Sequence, residues 1–280
     1  MPDFSSILYD VSERVATITL NRPERLNAWT PEMGDEIRHA VGIAGNDPQV
    51  RCIVVTGAGR GFCAGADMGI LQKTVERGKG GGTTVNFPED VRFPNAPGPE
   101  VEGLFPGRFT YLYSCPKPVI AAINGPCVGI GLIFTLYCDF RYAASDAVLW
   151  PNFASRGLVA EHGVAWVLPR LIGEAKALEL LFTARKLSGE EAAPLGLVNA
   201  ALPGEELLPR VYALAQHLAS NVSPRSLAVM KRQVRRASHD GLAETIRIAV
   251  AEMAASFETD HFREGIRSHV ERRPPQFPDL

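Results

Sequence analysis

The sequence predicts an α/β fold that ends in a helical region. Two short runs, 51–56 and 119–123, have the apolar character of buried strands, and each is followed by a glycine-rich break and the start of a helix. From Glu205 onward, apolar residues recur at helical spacing and the composition shifts towards Ala, Arg and Glu. We therefore expect a core of strands and helices over residues 1–204 and a helical region over residues 205–280 that packs on another subunit or on the core.

The composition is that of a globular protein with enough chain for a sizeable core. Its 280 residues are 46% hydrophobic and 21% charged, and 29 basic against 31 acidic side chains leave a formal net charge of −2. This balance provides no general field that would attract nucleic acid or an acidic membrane surface. The basic residues at 231–236 are few, and we interpret them as a solvated helix face rather than an RNA site.

The cysteines and the N-terminus indicate a cytoplasmic protein without disulfides or zinc. Five cysteines, an odd number, lie in apolar or glycine-rich surroundings, and none forms a CxxC pair. The first residues lack the basic and apolar regions of a signal peptide. The stretch 118–136 is long enough to span a bilayer, but Asn124, Pro126 and three glycines interrupt it. We therefore expect no membrane association.

The order of elements follows from hydrophobic periodicity and capping residues. The chain opens with a hairpin of strands 7–10 and 15–20, and Thr30-Pro31 begins a helix that runs to about residue 44. The segment 78–108 is rich in glycine and proline without clear periodicity, which is typical of lids and disordered loops. The remaining predicted elements are strands 147–150 and 197–202, a helix capped by Ser188 and Glu191, and helices 163–171, 174–183, 205–220, 223–237 and 242–257.

The glycine-rich run 57–67 does not fit a nucleotide site. A dinucleotide fingerprint requires a glycine where Phe62 stands, and a P-loop requires Gly-Lys-Ser/Thr where the run ends in Gly65-Ala66-Asp67. What remains is a strand, a glycine break and the start of a helix. The same order recurs after strand 119–123, where Gly129 precedes a helix.

Such junctions suit an anion. A strand that passes through glycine into a helix leaves backbone N–H groups free at the positive end of the helix dipole. These groups could bind a phosphate or stabilise an oxyanion that forms during a reaction. The alternative is a buried helix whose glycines serve close packing alone.

Several motifs along nearly the whole chain occur in an order that indicates a family. They are Asn21-Arg-Pro-x-x-x-Asn27-Ala28, Phe62-Cys-Ala-Gly-Ala-Asp67, Lys117-Pro-Val-Ile-Ala-Ala-Ile-Asn-Gly125, Cys138-Asp139 and Phe262-Arg-Glu-Gly265 with Glu271-Arg-Arg273. In these motifs the chain resembles the enoyl-CoA hydratase/isomerase (crotonase) superfamily. The resemblance implies a crotonase-like spiral of ββα units with a C-terminal helical trimerisation region, assembled as a trimer or a dimer of trimers.

The resemblance also implies chemistry on an acyl-CoA thioester. The backbone N–H groups of Ala66 and Ile130 would hold the thioester oxygen and stabilise its enolate, each by about 3 kcal/mol. Coenzyme A is then part of the substrate, and neither a separate cofactor nor a metal is expected. Arg25, and Arg272 from a neighbouring subunit, would meet the CoA phosphates, with a solvated arginine as an equal alternative for each. The other residues implied to contact the CoA or acyl part are Ala28, Ala64, Gly65, Asp67, Met68, Gly129, Phe153 and Trp166.

The catalytic acid departs from that of the family's hydratases. Their two glutamates align with Ile133 and Phe153, and neither side chain can hold a proton or a water. The loop 157–163 instead resembles the acid-bearing loop of the dienoyl-CoA isomerases and of the ring-opened phenylacetyl-CoA pathway isomerase. By that resemblance Glu161 would shuttle the proton.

The surroundings of Glu161 decide whether it can do so. If Phe153, Trp150 and Trp166 enclose it, its pKa should be raised, which suits proton exchange near neutrality. The alternative is a surface glutamate that caps the following helix, and the neighbouring His162 is better explained as a packing residue than as a base.

Three functions remain open at this point. The preferred function is an isomerase that moves a double bond through an enolate, with Glu161 as acid and base. The second is a hydratase whose acid comes from the segment 78–108. The third is a non-catalytic acyl-CoA binder or scaffold. The candidate acids of the second are Glu89, Asp90, Glu100 and Glu102.

Overall fold

The structure, a computed structural model, describes residues 3–77 and 91–280, which form strands and helices in alternation. The strands are β1 (Ile7–Ser12), β2 (Val15–Leu20), β3 (Cys52–Gly57), β4 (Val119–Ile123), β5 (Cys127–Val128), β6 (Phe140–Ala144), β7 (Val148–Trp150), β8 (Leu187–Ser188) and β9 (Ala200–Leu202). The helices are α1 (Pro31–Asn46), α2 (Met68–Arg77), α3 (Tyr111–Ser114), α4 (Ile130–Leu136), α5 (Val164–Ile172), α6 (Glu174–Thr183), α7 (Gly189–Leu195), α8 (Gly204–Asn221), α9 (Pro224–Arg236), α10 (Leu242–Phe257) and α11 (Asp260–Glu271).

The strands belong to two sheets within the described residues. The larger has the order β1-β2-β3-β4-β6-β9, in which β1 and β2 form an antiparallel hairpin and every later pair is parallel. The smaller has the order β5-β7-β8. Each parallel step requires a crossover, and helices provide most of these connections. This is the α/β architecture that the sequence predicts.

The centre of the larger sheet is buried on both faces. Every residue of β3 and β4 is buried, which explains why both strands read as nearly continuous apolar runs. Helix α8 covers the sheet with Leu207, Val211 and Ala215, which are fully buried in the core. Both strands end at the glycine-rich breaks, so the middle of the sheet presents the two junctions at the same edge.

Five elements were missing from the sequence-based prediction: α3, β5, β6, β8 and α11. Strand β6 contains Arg141, which hid the apolar pattern; its guanidinium is buried and donates to the carbonyls of Leu197 (2.9 Å) and Cys138 (2.7 Å). Helix α11 is mostly polar and begins at Thr259, whose hydroxyl accepts from the Phe262 N–H. The hairpin, α6 and α10 were predicted correctly. Of the predicted loop 78–108, residues 78–90 lie outside the described residues.

The C-terminal region contains helices of two kinds. Helix α8 packs on the sheet, whereas α10 has no buried residue. The last residues return to the core, where Asp279 pairs with Arg14 (2.5 Å) and Arg51 (2.8 Å). The division of the chain at residues 204 and 205 stays a prediction. None of the helices within the described ranges combines the length and the apolar character needed to cross a bilayer.

Candidate active site

The two glycine junctions predicted from the sequence lie against each other. Cys63 and Cys127 pair in a parallel β-bridge, and the Val128 N–H donates to the Cys63 carbonyl at 2.9 Å. In return the N–H groups of Phe62 and Cys63 donate to the Pro126 carbonyl at 3.1 and 2.9 Å. We call these two backbone segments, residues 62–67 and 126–131, the oxyanion cradle.

Glycine is required at two points of the oxyanion cradle. A Cβ on Gly131 would lie 2.6 Å from the Cβ of Cys63, so only glycine lets the segments approach this closely. Gly129 has φ 50° and ψ −116°, a conformation closed to other residues, and α4 begins directly after it. The Ile130 N–H lies in the first turn of this helix, where backbone N–H groups have no intrahelical acceptor.

The second predicted donor is free for a geometric reason. Ala66 pairs with Trp29 in a parallel bridge, but the bridge uses its neighbours: Trp29 donates to the Gly65 carbonyl (2.7 Å) and Asp67 donates to the Trp29 carbonyl (3.0 Å). Because successive N–H groups of an extended chain alternate in direction, the Ala66 N–H faces away from Trp29. Both predicted donors are thus on half-buried residues of the oxyanion cradle.

The loop 21–28 is the scaffold of the oxyanion cradle. Asn27 is fully buried, and its amide donates to the carbonyls of Ala58 (3.0 Å) and Gly61 (2.8 Å) while its oxygen accepts from the Arg22 N–H (2.8 Å). The Ala64 N–H donates to the Leu26 carbonyl at 2.9 Å. The Asn-Arg-Pro motif therefore shapes the segment that carries Ala66.

Asp67, a predicted substrate contact, is engaged with this scaffold. Its carboxylate accepts from the Arg22 guanidinium at 3.1 Å, and Arg22 also donates to the Ala28 carbonyl at 2.7 Å. Burial opposes ionisation of Asp67, but the hydrogen bonds from Arg22 and from the Gly69 N–H outweigh it and hold its pKa below the usual value. Asp67 is therefore a fixed anion that stabilises the loop, and a proton shuttle at this position is disfavoured.

The positions of the two hydratase glutamates have become part of the core. Ile133 and Phe153 are buried, with 0% and 4% of their surface exposed. They line one apolar cluster together with Val164 and Leu168 of α5. Both expected positions of the acid pair are thus filled by apolar side chains that pack in the core.

Glu161 lies on the loop that leads into α5, three residues before Val164. It is half-buried, and within the described ranges its carboxylate has neither a hydrogen bond nor an ion pair. Burial alone raises its pKa above the ordinary value of 4.5. Helix α5 is capped by Gly163 without a side-chain hydrogen bond, so the alternative of Glu161 as a helix cap has no support in the geometry.

We call the loop 157–163 the acid loop. The aromatic side chains found around it differ from the Trp150 and Trp166 that the sequence predicted. Trp150 donates its indole N–H to the Ala184 carbonyl (2.7 Å), and Trp166 packs beside Arg170 and Phe105. The aromatic residues that contact the loop were not identified from the sequence. They are Phe109, whose ring centroid lies 5.7 Å from that of His162, and Tyr137, whose hydroxyl donates to the His162 carbonyl at 2.6 Å.

His162 is exposed overall, but one side of its ring contacts Phe109. Burial of its ring, and then the positive charge of Arg108, lower its pKa below 6.5. The imidazole is therefore neutral near pH 7, and its ring is held against Phe109. A charged general acid at this position is disfavoured.

Of the other predicted residues, Met68 lies beside the oxyanion cradle, and Arg25 and Arg272 are exposed arginines. Met68 begins α2 beside the oxyanion cradle, and its sulfur lies 3.5 Å from the Arg156 guanidinium, which brings α2 to the loop after β7. Arg25 is exposed at the end of a short 3-10 turn over residues 23–25, close in sequence to Ala28. Arg272 is exposed at the C-terminal end of α11, with φ 53°, and no hydrogen bond in the structure links it to the other predicted residues.

One further polar side chain beside the oxyanion cradle was missed. Asn152 is 8% exposed, and its Oδ1 would lie 2.9 Å from a Cβ on Gly129. Its position directly before Phe153, in a segment that carries functional carboxylates in hydratases, could have drawn attention to it. Within the described ranges, no group of three or more His, Cys, Asp and Glu side chains is arranged to hold a metal ion.

The fold and the paired glycine junctions define a class of protein, and sequence comparison identifies it. The profile of the enoyl-CoA hydratase/isomerase family matches residues 10–87 and 100–279. The chain therefore belongs to the enoyl-CoA hydratase/isomerase family, and the predicted crotonase-like fold is confirmed. The chain is an acyl-CoA enzyme of this family.

The relatives have more than one activity in their names. A probable enoyl-CoA hydratase of Rhodobacter capsulatus is 35% identical, over 98% of each chain. The 1,2-epoxyphenylacetyl-CoA isomerase of Escherichia coli is 32% identical, over 97% of each chain. Among solved structures, the enoyl-CoA hydratase of Bacillus anthracis superposes with a TM-score of 0.84 at 27% identity, over 98% of this chain and 99% of that one.

Proposed function

We propose that this protein is an enoyl-CoA isomerase that uses Glu161 as both acid and base. The observation that carries the proposal is the apolar cluster of Ile133 and Phe153, which occupies the positions of the hydratase acid pair. Glu161 is a carboxyl group on the adjoining loop, half-buried and without a partner among the described residues, and its pKa is raised by burial. One acid of this kind is sufficient for a proton shift, whereas hydration also requires a held water.

In the proposed reaction the backbone N–H donors of the cradle and the Glu161 carboxylate act on the same substrate. The N–H groups of Ala66 and Ile130 bind the thioester oxygen and strengthen their hydrogen bonds as the enolate forms. The Glu161 carboxylate removes a proton from one carbon of the enoyl chain, and the electron pair moves through the double bond to the thioester oxygen. The same carboxyl group then returns the proton to a carbon two positions away. The double bond moves, and no co-reactant is consumed.

The substrate's CoA part is proposed to lie over the exposed mouth of the site. Arg25 is exposed beside the loop that carries Ala28, and both Ala64 and Gly65 are part of the oxyanion cradle. Arg272, an exposed residue at the C-terminal end of α11, would act from a neighbouring subunit. Trp166, which packs beside Arg170, is a weaker candidate for an acyl contact.

The test is the conversion of 3-enoyl-CoA and trans-2-enoyl-CoA substrates by Glu161→Gln. Glutamine keeps the size and polarity of the side chain but cannot transfer the proton. General acid–base catalysis typically contributes about 10²- to 10⁴-fold, so we expect kcat to fall by that factor with little change in KM. The matched control is Glu174→Gln, an exposed glutamate at the start of α6, which should retain wild-type kcat.

The outcome separates the three functions. Isomerised product that disappears in Glu161→Gln supports the proposal. Hydrated product that survives the substitution contradicts it and favours a hydratase, as the names of several relatives suggest. Binding of enoyl-CoA without any conversion would favour a non-catalytic acyl-CoA binder.

The hydratase alternative would need another acid. Glu100 accepts from the N–H groups of Val101 (2.8 Å) and Glu102 (2.6 Å), and Glu102 accepts from the Phe93 N–H (2.8 Å). These two side chains are thus occupied in shaping their own loop. Glu89 and Asp90 lie outside the described residues.

We also propose that the chain associates with itself through α10. Its apolar residues recur at helical spacing and are between 51% and 76% exposed, which is costly for so large a set on one helix. Phe257 contacts Phe262 of α11 with ring centroids 5.1 Å apart, so the apolar surface continues onto the next helix. A second copy of this chain would cover it. The stripe consists of Leu242, Ile246, Val250, Met253 and Phe257.

Sedimentation velocity tests this association. We expect the wild-type chain to have the mass of three or six copies, and Ile246→Glu combined with Val250→Glu to shift it to monomer. Ala251→Glu combined with Ala255→Glu adds the same two charges on the opposite side of α10, where both alanines are exposed, and should leave the mass unchanged. A monomeric wild-type chain, or a double variant that stays assembled, would rule out this interface.

A further inference from the structure

The acid loop has a backbone that cannot hold its shape alone. His162 has φ 49° and Gly163 has φ 79°, so two consecutive residues are in the left-handed region. Glycine adopts this region freely, but a residue with a side chain does so at a cost of about 1 kcal/mol or more. This arrangement directly follows Glu161, and it persists where surrounding contacts enforce it.

The contact that enforces it comes from Tyr137. The Tyr137 hydroxyl donates to the His162 carbonyl at 2.6 Å, which fixes the peptide group between His162 and Gly163. The Val164 N–H donates to the Glu161 carbonyl at 3.0 Å, which fixes the next turn. A side chain at Gly163 would collide with the same hydroxyl, so this residue is limited to glycine. Loop and hydroxyl therefore fit each other closely.

Tyr137 is itself held in place. It is 5% exposed, its ring lies 5.1 Å from that of Tyr113 and 5.9 Å from that of Phe109, and Arg235 of α9 stacks over Tyr113 at 3.8 Å. Phe109 also packs on the His162 ring at 5.7 Å. The hydroxyl has little freedom to move away from the loop, because the ring is enclosed on several sides.

The position of Tyr137 links the two halves of the site. Helix α4 begins at Ile130, whose N–H is a proposed oxyanion donor, and Tyr137 is the residue that ends it. The seven residues of this helix span about 10 Å at 1.5 Å per residue. One short rigid element thus carries a donor at its first residue and the support of the acid loop at its end.

We infer that Tyr137 is a positioning residue that holds Glu161 at a fixed distance from the oxyanion cradle. The inference rests on the proposed function, because it gives Tyr137 a role only if Glu161 moves the proton. Tyr137 does not touch the substrate in this account. It acts through the His162 carbonyl, and its loss allows the loop to leave the geometry in which the carboxylate reaches the reacting carbon.

The test is Tyr137→Phe, which removes the hydroxyl and keeps the ring. A misplacement of about 1 Å in a catalytic group costs on the order of 100-fold in rate, so we expect kcat to fall 10- to 100-fold. KM should change less than threefold, because the groups that bind the CoA are untouched. Hydrogen exchange at the amides of residues 158–165 should become faster, while exchange in β3 and β4 should not change.

The matched control is Tyr113→Phe, which removes the hydroxyl of the neighbouring tyrosine and leaves the hydrogen bond to His162 intact. It should keep wild-type kcat and wild-type exchange in the loop. If Tyr137→Phe does not fold, Gly163→Ala disturbs the same contact from the side of the loop, since the new Cβ would collide with the Tyr137 hydroxyl. We expect it to lower kcat and to speed exchange in the same residues.

The results distinguish failure of this inference from failure of the proposed function. If Glu161→Gln is inactive but Tyr137→Phe has wild-type kcat, the positioning role is wrong and the isomerase proposal stands. If Glu161→Gln keeps full activity, both are wrong. A Tyr137→Phe variant that loses activity only through a higher KM, with unchanged exchange in the loop, would also overturn the inference.

Discussion

The oxyanion cradle and the acid loop 157–163 depend on different parts of the chain: the cradle on backbone groups, and the loop on one side chain. The cradle is made of backbone, and its geometry is fixed many times over by bridges, by hydrogen bonds and by glycines that no other residue could replace. The acid loop depends on a single carboxyl side chain and on a few contacts to its backbone. The cradle can therefore tolerate different side chains, such as that of Ile130, whereas the proposed reaction depends on one side chain in the loop.

This difference explains why the family is easier to read from the sequence than the reaction. A backbone donor requires glycine at a few points, and the pattern of glycines is visible in the chain. A catalytic side chain is visible as a residue type, but its role depends on what surrounds it. Ile133 and Phe153 are apolar and buried, and the pKa of Glu161 is raised by burial; both observations come from the surroundings of these side chains and not from their residue types.

The largest effect is expected at the contact between the two segments of the cradle. In Gly131→Ala the new Cβ would lie 2.6 Å from the Cβ of Cys63 and 3.0 Å from its carbonyl oxygen. Overpacking of this kind costs about 1–3 kcal/mol, and a displacement of about 1 Å at the Ile130 N–H would cost on the order of 100-fold in kcat. Urea denaturation and kcat on an enoyl-CoA measure the two losses.

The control for this substitution is Gly204→Ala at the start of α8. Nothing lies within 4 Å of a Cβ at that position, so stability and kcat should stay close to wild type. A Gly131→Ala variant with wild-type kcat would mean that the close approach of the two segments is not needed for the oxyanion site. The cradle would then not be the part of the site whose geometry has to stay fixed.

The next effect is expected at the scaffold of the cradle and concerns stability alone. Asn27→Ala removes one acceptor and two donated hydrogen bonds, and it places alanine at φ 56°, where asparagine is tolerated better. Leaving buried backbone groups unpaired costs about 1–3 kcal/mol each, so we expect a loss of about 2–4 kcal/mol in the free energy of unfolding.

Asn27→Asp is the informative companion of that variant. It keeps the acceptor for the Arg22 N–H but replaces both donated hydrogen bonds with a carboxylate that faces two carbonyls. It should therefore be no more stable than Asn27→Ala near pH 7. If Asn27→Asp were instead as stable as wild type, the amide would not be the link between the loop 21–28 and the cradle.

The sequence predicted the cradle better than the acid loop for a physical reason. Capping residues, apolar runs and glycines act locally, and they located β3, β4, α6 and both junctions. The aromatic residues that contact the acid loop at His162 come from distant parts of the chain: Phe109 precedes Glu161 by 52 positions and Tyr137 by 24. The sequence did not indicate Phe109 and Tyr137, because spacing along the chain does not fix which aromatic ring reaches a loop.

Strand β6 was missed for a related reason. Its Arg141 looks like a surface residue in the sequence, but in the structure the guanidinium is buried and bound to backbone carbonyls. A buried arginine with such partners is compatible with a central strand, and only the tertiary structure reveals the partners. The amphipathic helices of the C-terminal region were easier to predict, because the spacing of their apolar residues is visible in the sequence whatever packs against them.

The smallest expected effect is a gain in stability, and it concerns the acid loop. A carboxyl group whose pKa is higher in the folded chain than in the unfolded chain destabilises the fold once it is ionised. Below the unfolded value, near 4.5, Glu161 is protonated in both states and costs nothing. As the pH rises through the folded pKa, the penalty grows to its full value. Glu161→Gln should therefore melt at a higher temperature than wild type near pH 7, and at the same temperature near pH 4.

Thermal melts of wild type, Glu161→Gln and Glu174→Gln from pH 4 to pH 8 measure this difference. Glu174 is exposed, so its variant is the control for loss of one negative charge. If Glu161→Gln were the less stable protein near pH 7, the carboxylate would be stabilising the start of α5, and Glu161 would be a structural residue. A site that gives up stability to keep an unpaired carboxylate is better explained by catalysis, because packing alone would favour an uncharged side chain there.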